Sequence, residues 1–284
     1  MWKLPVPDCN DVETQLRLAL TRADGSYKYD YSQGQKQDLL ATYTAYVAQR
    51  GRPMAALLAQ ALGAPFLQAL YDAYGEVQDG RRLASLRSQL KIGVQKCPYC
   101  GFGEVRDLDH HLPRSKYKAL SIYPTNLVPC CPVCNNKKRA IAEENPDFQF
   151  PHIYLDELPA AQFLIAEPDV SEQGIRVRFV VVKCEGMPDD LFGRLSFHVG
   201  RLDLERRYES EVVSFLTSQR TAIEEAGAAG GNALREYLLR CLESSKRDYG
   251  LNHWQTALLT GLSISDEFCA DGYRYCLGLR YVGA

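Results

Sequence analysis

The sequence predicts an α+β protein: mostly helical, with a small ββα unit at its centre and a small β-hairpin in its C-terminal part. Three observations carry this. Apolar residues recur at helical spacing before residue 91 and again after residue 202. Two Cys-x-x-Cys pairs, Cys97–Cys100 and Cys131–Cys134, bracket short strand-like runs and are followed by a helix signal. Gln162–Ala166 and Ile175–Lys183 read as strands joined by a turn at Ser171–Gly174. The expected organisation is a helical region at 1–90, the ββα unit at 91–150 and a mixed hairpin and helical region at 151–284.

In order, Asp11–Arg22 reads as a helix, then Gly25–Gly34 as a polar loop carrying Tyr27, Tyr29 and Tyr31. Gln35–Arg50 places Leu39, Leu40, Tyr43, Tyr46 and Val47 on one side, with Gly51 as the stop. Met54–Leu62 and Pro65–Tyr74 follow as helices, and Arg81–Leu90 is a basic helix leading to the first cysteine pair.

Two Cys-x-x-Cys knuckles in one chain are the usual way to build a tetrahedral zinc site. Cys97, Cys100, Cys131 and Cys134 are the expected ligands of a structural Zn²⁺. Cys130 makes no two-residue spacing with Cys134 and is assigned to packing. Thirty residues separate the knuckles, which leaves room for a functional segment between them. Within it, Val105–Leu112 reads as a strand that delivers Asp109 and His110 near its end, and Pro113 stops it. Asn126–Val128 is the second strand. Pro132 suits the first turn of a helix that would run through Asn135 and Lys138 toward Glu144, ended by Asn145-Pro146.

These residues resemble the HNH endonucleases, a ββα-metal (His-Me finger) family. The likeness rests on Asp109-His110-x-x-Pro113, Asn126-Leu127 and Cys131-x-x-Cys134-Asn135-x-x-Lys138, and Cys97 and Cys100 match its zinc-bearing branch. The resemblance implies that His110 is the general base that activates water. It implies that Asp109 and Asn135 hold one divalent ion, Mg²⁺ or Mn²⁺, and that Asn126 braces the loop that orients the histidine. Asn135 stands where many members carry histidine, and its carbonyl oxygen can still bind a hard cation. His111 is the alternative base, and geometry must choose between them.

Phosphodiester hydrolysis needs such residue types. A base with a pKa near neutral activates the water. A metal ion neutralises charge on the phosphoryl and leaving oxygens. Arg114, Lys116 and Lys138 are the candidate phosphate-binding cations. From Arg81 to Arg139 there are twelve Lys/Arg and three Asp/Glu, a net charge of +9, while the remainder carries −11. A weakly acidic chain with one basic segment has a local footprint for polyanions such as DNA.

After Pro151 the character changes. Leu195–Val199 reads as a third strand, and His152 and His198 as structural histidines near strand ends. Leu202–Glu225 reads as one long helix, Gly227–Gly231 as a joint, and Asn232–Lys246, Trp254–Leu262 and Asp266–Leu277 as helices. Trp254, Phe268, Tyr273 and Tyr275 are assigned to the core.

With 284 residues, 46% hydrophobic and 24% charged, the chain is ordinary for a globular protein. No apolar run is long enough to span a bilayer, and no leader-like segment opens the sequence. Cys9, Cys130, Cys184, Cys241, Cys269 and Cys276 are scattered and read as reduced thiols, so a cytoplasmic location is expected. The expected function is a divalent-metal-dependent DNA endonuclease. The layout also resembles HNH effector nucleases of bacterial anti-phage systems, such as the nuclease subunit of Septu. That resemblance implies a regulatory partner such as an ATPase, or a second copy of the chain. A non-catalytic zinc-dependent module that binds nucleic acid or protein is the competing reading; it would not need Asp109, His110 and Asn135 together.

Overall fold

The computed structural model describes residues 3–8 and 11–277; Cys9 lies outside the described residues. The chain divides into two compact units, Lys3–Glu157 and the part from Leu158 onward. The fold is mostly helical, with two small antiparallel strand pairs. No helix among the described residues is long and apolar enough to cross a membrane.

The first unit opens with α1 (Val12–Leu20), capped by the Asp11 carboxylate on the amide of Thr14. Helix α2 (Gln33–Ala48) begins with a reciprocal capping box between Ser32 and Gln35. It buries Leu39, Thr42, Tyr43 and Tyr46. The Met54–Leu62 stretch is two short 3-10 turns instead of the expected α-helix, Ala55–Leu58 and Gln60–Leu62. Ala59 between them adopts φ 51°, which an α-helix cannot accommodate. Helices α3 (Ala64–Ala73) and α4 (Ala84–Lys91) follow. A shared core runs from Leu16 and Leu39 through Phe66 and Leu86 to Leu108, Leu120 and Leu127. The helical front and the central unit are therefore packed on one another.

The central unit is β1 (Asp107–His110), β2 (Leu127–Cys130) and α5 (Pro132–Lys138). The strands pair antiparallel, with Asp107 opposite Cys130 and His110 opposite Leu127. Helix α5 is shorter than expected. Arg139 follows it at φ 54°, so the chain leaves the helix well before Glu144.

The second unit contains the hairpin β3 (Leu164–Ser171) and β4 (Gly174–Val181). Among the described residues no third strand joins it: Leu195–Val199 lies inside α6 (Asp189–Arg201). Leu191, Leu195 and Val199 recur every four residues and are all buried, a helical period that outweighs the local strand appearance. His198 is buried in this helix, not at a strand end. The expected long helix is two, α7 (Leu204–Ser218) and α8 (Arg220–Ala228), separated at Gln219. Then come α9 (Gly231–Tyr249), α10 (Trp254–Ile264), a π-turn at Phe268–Gly272 and α11 (Tyr273–Cys276). Helix α10 packs on β3, and Trp254, Phe268 and Tyr273 are core residues. Tyr275 is only half-buried.

Candidate active site

The cysteines come together first. The Sγ atoms of Cys97, Cys100, Cys131 and Cys134 lie within 4.8 Å of one another, and all four residues are buried. Zn–S bonds of about 2.3 Å in a tetrahedron put sulfurs roughly 3.8 Å apart. The Cys100–Cys131 separation is 4.0 Å, so the set fits that ion. Backbone amides already face the sulfurs: Gly103 N donates to Cys100 Sγ (3.3 Å) and Cys134 N to Cys131 Sγ (3.4 Å). Such N–H···S bonds favour thiolates. Gly103 permits this approach, since a Cβ there would stand 2.8 Å from the Cys131 side chain. Cys131 also caps α5, so the cluster joins β2, the helix and the Cys97–Gly103 loop. Cys130 is buried but is not part of the cluster.

His110, at the end of β1, is 9% exposed. Its Nε2 lies 2.9 Å from the carbonyl oxygen of Ser121, so Nε2 carries the proton and donates. In the neutral ring Nδ1 is then the acceptor. Burial pushes the imidazole pKa down to about 3, below the near-neutral value expected of the base, so the ring is held neutral; the charges of Arg114 and Lys138 add to this, and the Ser121 bond opposes it. The ring stands edge-on to Tyr74, centroids 4.4 Å apart. The Tyr74 hydroxyl in turn donates to Leu108 O. His111 turns elsewhere: its ring lies against that of His152, tilted by 38° with centroids 4.1 Å apart.

Asn126 is fully buried and uses every side-chain bonding position. Oδ1 accepts from Tyr46 OH (2.9 Å) and Leu112 N (2.8 Å). Nδ2 donates to Leu112 O (3.0 Å) and Leu120 O (3.2 Å). It ties together the two ends of the loop between β1 and β2.

Asp109 and Asn135 bond to different neighbours. Asp109 Oδ2 accepts from Tyr99 OH (2.9 Å) and pairs with Lys138 Nζ (3.0 Å). Burial raises its pKa against the pull of Lys138, Tyr99 and the His110 amide. Asn135 Nδ2 donates to Asp107 Oδ2 (2.9 Å). Asp107 and Asp109 are two residues apart on β1 and share a strand face.

Lys138, expected on a phosphate, has 0% exposure and is a brace instead. Its three N–H groups go to Asp109, to His110 O (2.8 Å) and to His111 O (3.1 Å). It sits on the inward face of α5 with Cys134. Removing a partner from a buried ion pair costs about 3–5 kcal/mol. Lys138→Met is expected to lose about that much stability in urea unfolding. Lys116→Met should lose almost none, because Lys116 is exposed. Equal stabilities would refute the brace.

Arg114 and Lys116 remain on the outside. The Arg114 guanidinium lies over Tyr71 (4.4 Å) and Tyr74 (4.8 Å), so it borders the ring that touches His110. Lys118 also approaches Tyr71, at 5.7 Å. Tyr46, Tyr74, Tyr99, Ser121 and His152 were not legible as site residues: Tyr46, Tyr74 and His152 come from remote segments, Ser121 acts through its backbone, and Tyr99 sits inside the first cysteine knuckle with no signal of its own.

The paired strands, the short helix and the cysteine cluster define a zinc-type ββα unit. Residues 97–140 match the family model described as HNH endonuclease, and the chain carries that domain. It is also similar to Protein ea31 of Escherichia phage lambda, with 39% identity over 64 residues, or 22% of each chain. The chain therefore spans about a fifth of that relative's length. No solved structure matches the chain.

Proposed function

We propose that this protein is a DNA endonuclease in which His110 is the general base. The observation that supports it best is the His110 ring: Nε2–H is committed to the Ser121 carbonyl, so the neutral imidazole offers Nδ1 to a water proton. Water attacks phosphorus, its proton passes to Nδ1, and the P–O ester bond breaks. The departing alkoxide takes a proton from solvent, and by family habit the ends are 5′-phosphate and 3′-hydroxyl. Arg114 and Lys116 are the cations proposed to meet the phosphate; the exposure of Lys116 and the position of Arg114 beside Tyr74, which touches His110, support this.

A divalent ion would supply charge neutralisation at the phosphoryl oxygens; the Asp109 carboxylate and Asn135 Oδ1 would hold it, in place of the Lys138 charge that pairs with Asp109. Plasmid cleavage tests the function directly. Supercoiled DNA should be nicked and linearised with Mg²⁺ or Mn²⁺ and spared after moderate EDTA. Cleavage that survives chelation would show that the reaction needs no exchangeable ion. The absence of cleavage under all these conditions would refute the nuclease.

The Tyr99–Asp109–Lys138 lock favours a second reading, a zinc-dependent module that binds nucleic acid without cutting it. That module would retard DNA on a gel and leave it intact. In the nuclease reading, the acidic remainder, with its charge of −11, is repelled by DNA and suits a protein partner instead. A regulatory ATPase or a second copy is the proposed occupant, in keeping with an anti-phage effector. Co-expression with the neighbouring gene product, followed by size exclusion, tests this.

A further inference from the structure

The loop that presents Ser121 to His110 is held by Asn126, and Asn126 is itself held from outside the HNH match. Tyr46, on α2, is 0% exposed and His152 is 2% exposed. His152 Nδ1 accepts from the amide of Tyr154 (3.2 Å). In the neutral ring Nε2 therefore carries the proton, and it lies 2.8 Å from the Tyr46 oxygen, to which it donates. The Tyr46 hydroxyl then has its own proton to give, and the acceptor is Asn126 Oδ1 at 2.9 Å. Every donor in this row faces an acceptor, so one orientation of all three side chains is selected. Burial holds the Tyr46 phenol well above its ordinary pKa, which keeps that proton in place.

The row is also confined sterically. Gly51 adopts φ 69°, and a Cβ there would meet His152 Cδ2 at 2.2 Å. Asp156 accepts from the His152 amide at 2.7 Å. The Tyr46 ring stands edge-on to Tyr123 at 5.5 Å. At the other end, Asn126 fastens Leu112 and Leu120, and Ser121, the residue after Leu120, receives the His110 proton.

We infer that Tyr46 and His152 are positioning residues, which hold Asn126 and through it the Leu112–Ser121 loop against which His110 is aimed. This rests on the nuclease reading. A base displaced by a fraction of an ångström from its water loses rate but not substrate affinity. Tyr46→Phe keeps the ring and deletes the hydroxyl. It should lower kcat by about tenfold or more while KM stays within about twofold. Hydrogen exchange at the Leu112 amide should become at least about tenfold faster, with no change at Arg106, whose amide bonds Cys130 O at the far end of the strand pair. His152→Gln keeps an N–H for Tyr46 and should retain more kcat than His152→Leu.

If the parent cuts DNA and either kcat or Leu112 exchange is unchanged in Tyr46→Phe, the inference is overturned and the nuclease reading stands. Equal acceleration at Arg106 would mean general loosening and would overturn it too. A parent that cuts nothing in Mg²⁺ or Mn²⁺ removes the nuclease reading, and this inference with it.

Discussion

Cys97→Ser is expected to lower the thermal midpoint by about 10 °C or more and to reduce bound zinc from one ion per chain to a small fraction. The strands β1 and β2 have four residues each and α5 has seven. Elements this short are not stable alone, because the ordering entropy exceeds what a two-strand ladder and two helical turns return. The cysteine cluster supplies the missing cross-links: it joins the Cys97–Gly103 loop to β2 and to the start of α5. Structural zinc contributes several kcal/mol or more to such units. A loss of about 5 kcal/mol moves the midpoint of a domain this size by roughly 10–20 °C. Elemental analysis of the purified chain, with melting before and after prolonged chelation, measures both. A zinc-free parent, or a serine variant as stable as the parent, would overturn the site.

His110→Ala is expected to reduce plasmid cleavage by about 10²–10⁴-fold, the usual worth of a positioned base. It should also cost about 1–2 kcal/mol of stability, because a buried ring and its bond to Ser121 are lost. The fold-change in rate must therefore be measured at a temperature where both proteins are folded, as judged by circular dichroism. His111→Ala is the control. It removes a ring contact of His152 and should reduce stability and cost some rate through the Leu112–Ser121 loop, but it keeps the His110 base and should retain far more cleavage than His110→Ala. An active His110→Ala beside a dead His111→Ala would reverse the assignment.

The cysteine cluster was legible because ligand spacing is a local property. A Cys-x-x-Cys knuckle presents two thiolates whatever lies around it, and two of them need only a chain long enough to close. The same holds for β1, β2 and the start of α5, where Pro132 and the run of strand formers act over a few residues. Local reasoning failed where competing signals were close in strength. Leu195–Val199 looks strand-like in a five-residue window, but the four-residue recurrence from Leu191 to Val199 makes it helical. The end of α5 depended on Arg139 taking a positive φ, which no nearby glycine announces.

What the sequence determined by itself was the kind of protein: mostly helical, with a cysteine-stapled ββα unit that carries Asp109, His110 and Asn126. What only the tertiary structure decided was who partners whom. Lys138 was eligible for a phosphate by type and spacing, yet packing turns it inward to Asp109 and two carbonyls. Asn135 was expected to share an ion with Asp109, and only the fold ties its Nδ2 to Asp107. Tyr46 and His152 lie 80 and 26 residues from Asn126 and belong to no motif, yet Tyr46 completes its bonding and His152 holds the Tyr46 hydroxyl. A side chain's type fixes what it can bond, but a buried polar atom bonds to whatever the fold brings within 3 Å or so, because leaving it unpaired costs about 1–3 kcal/mol.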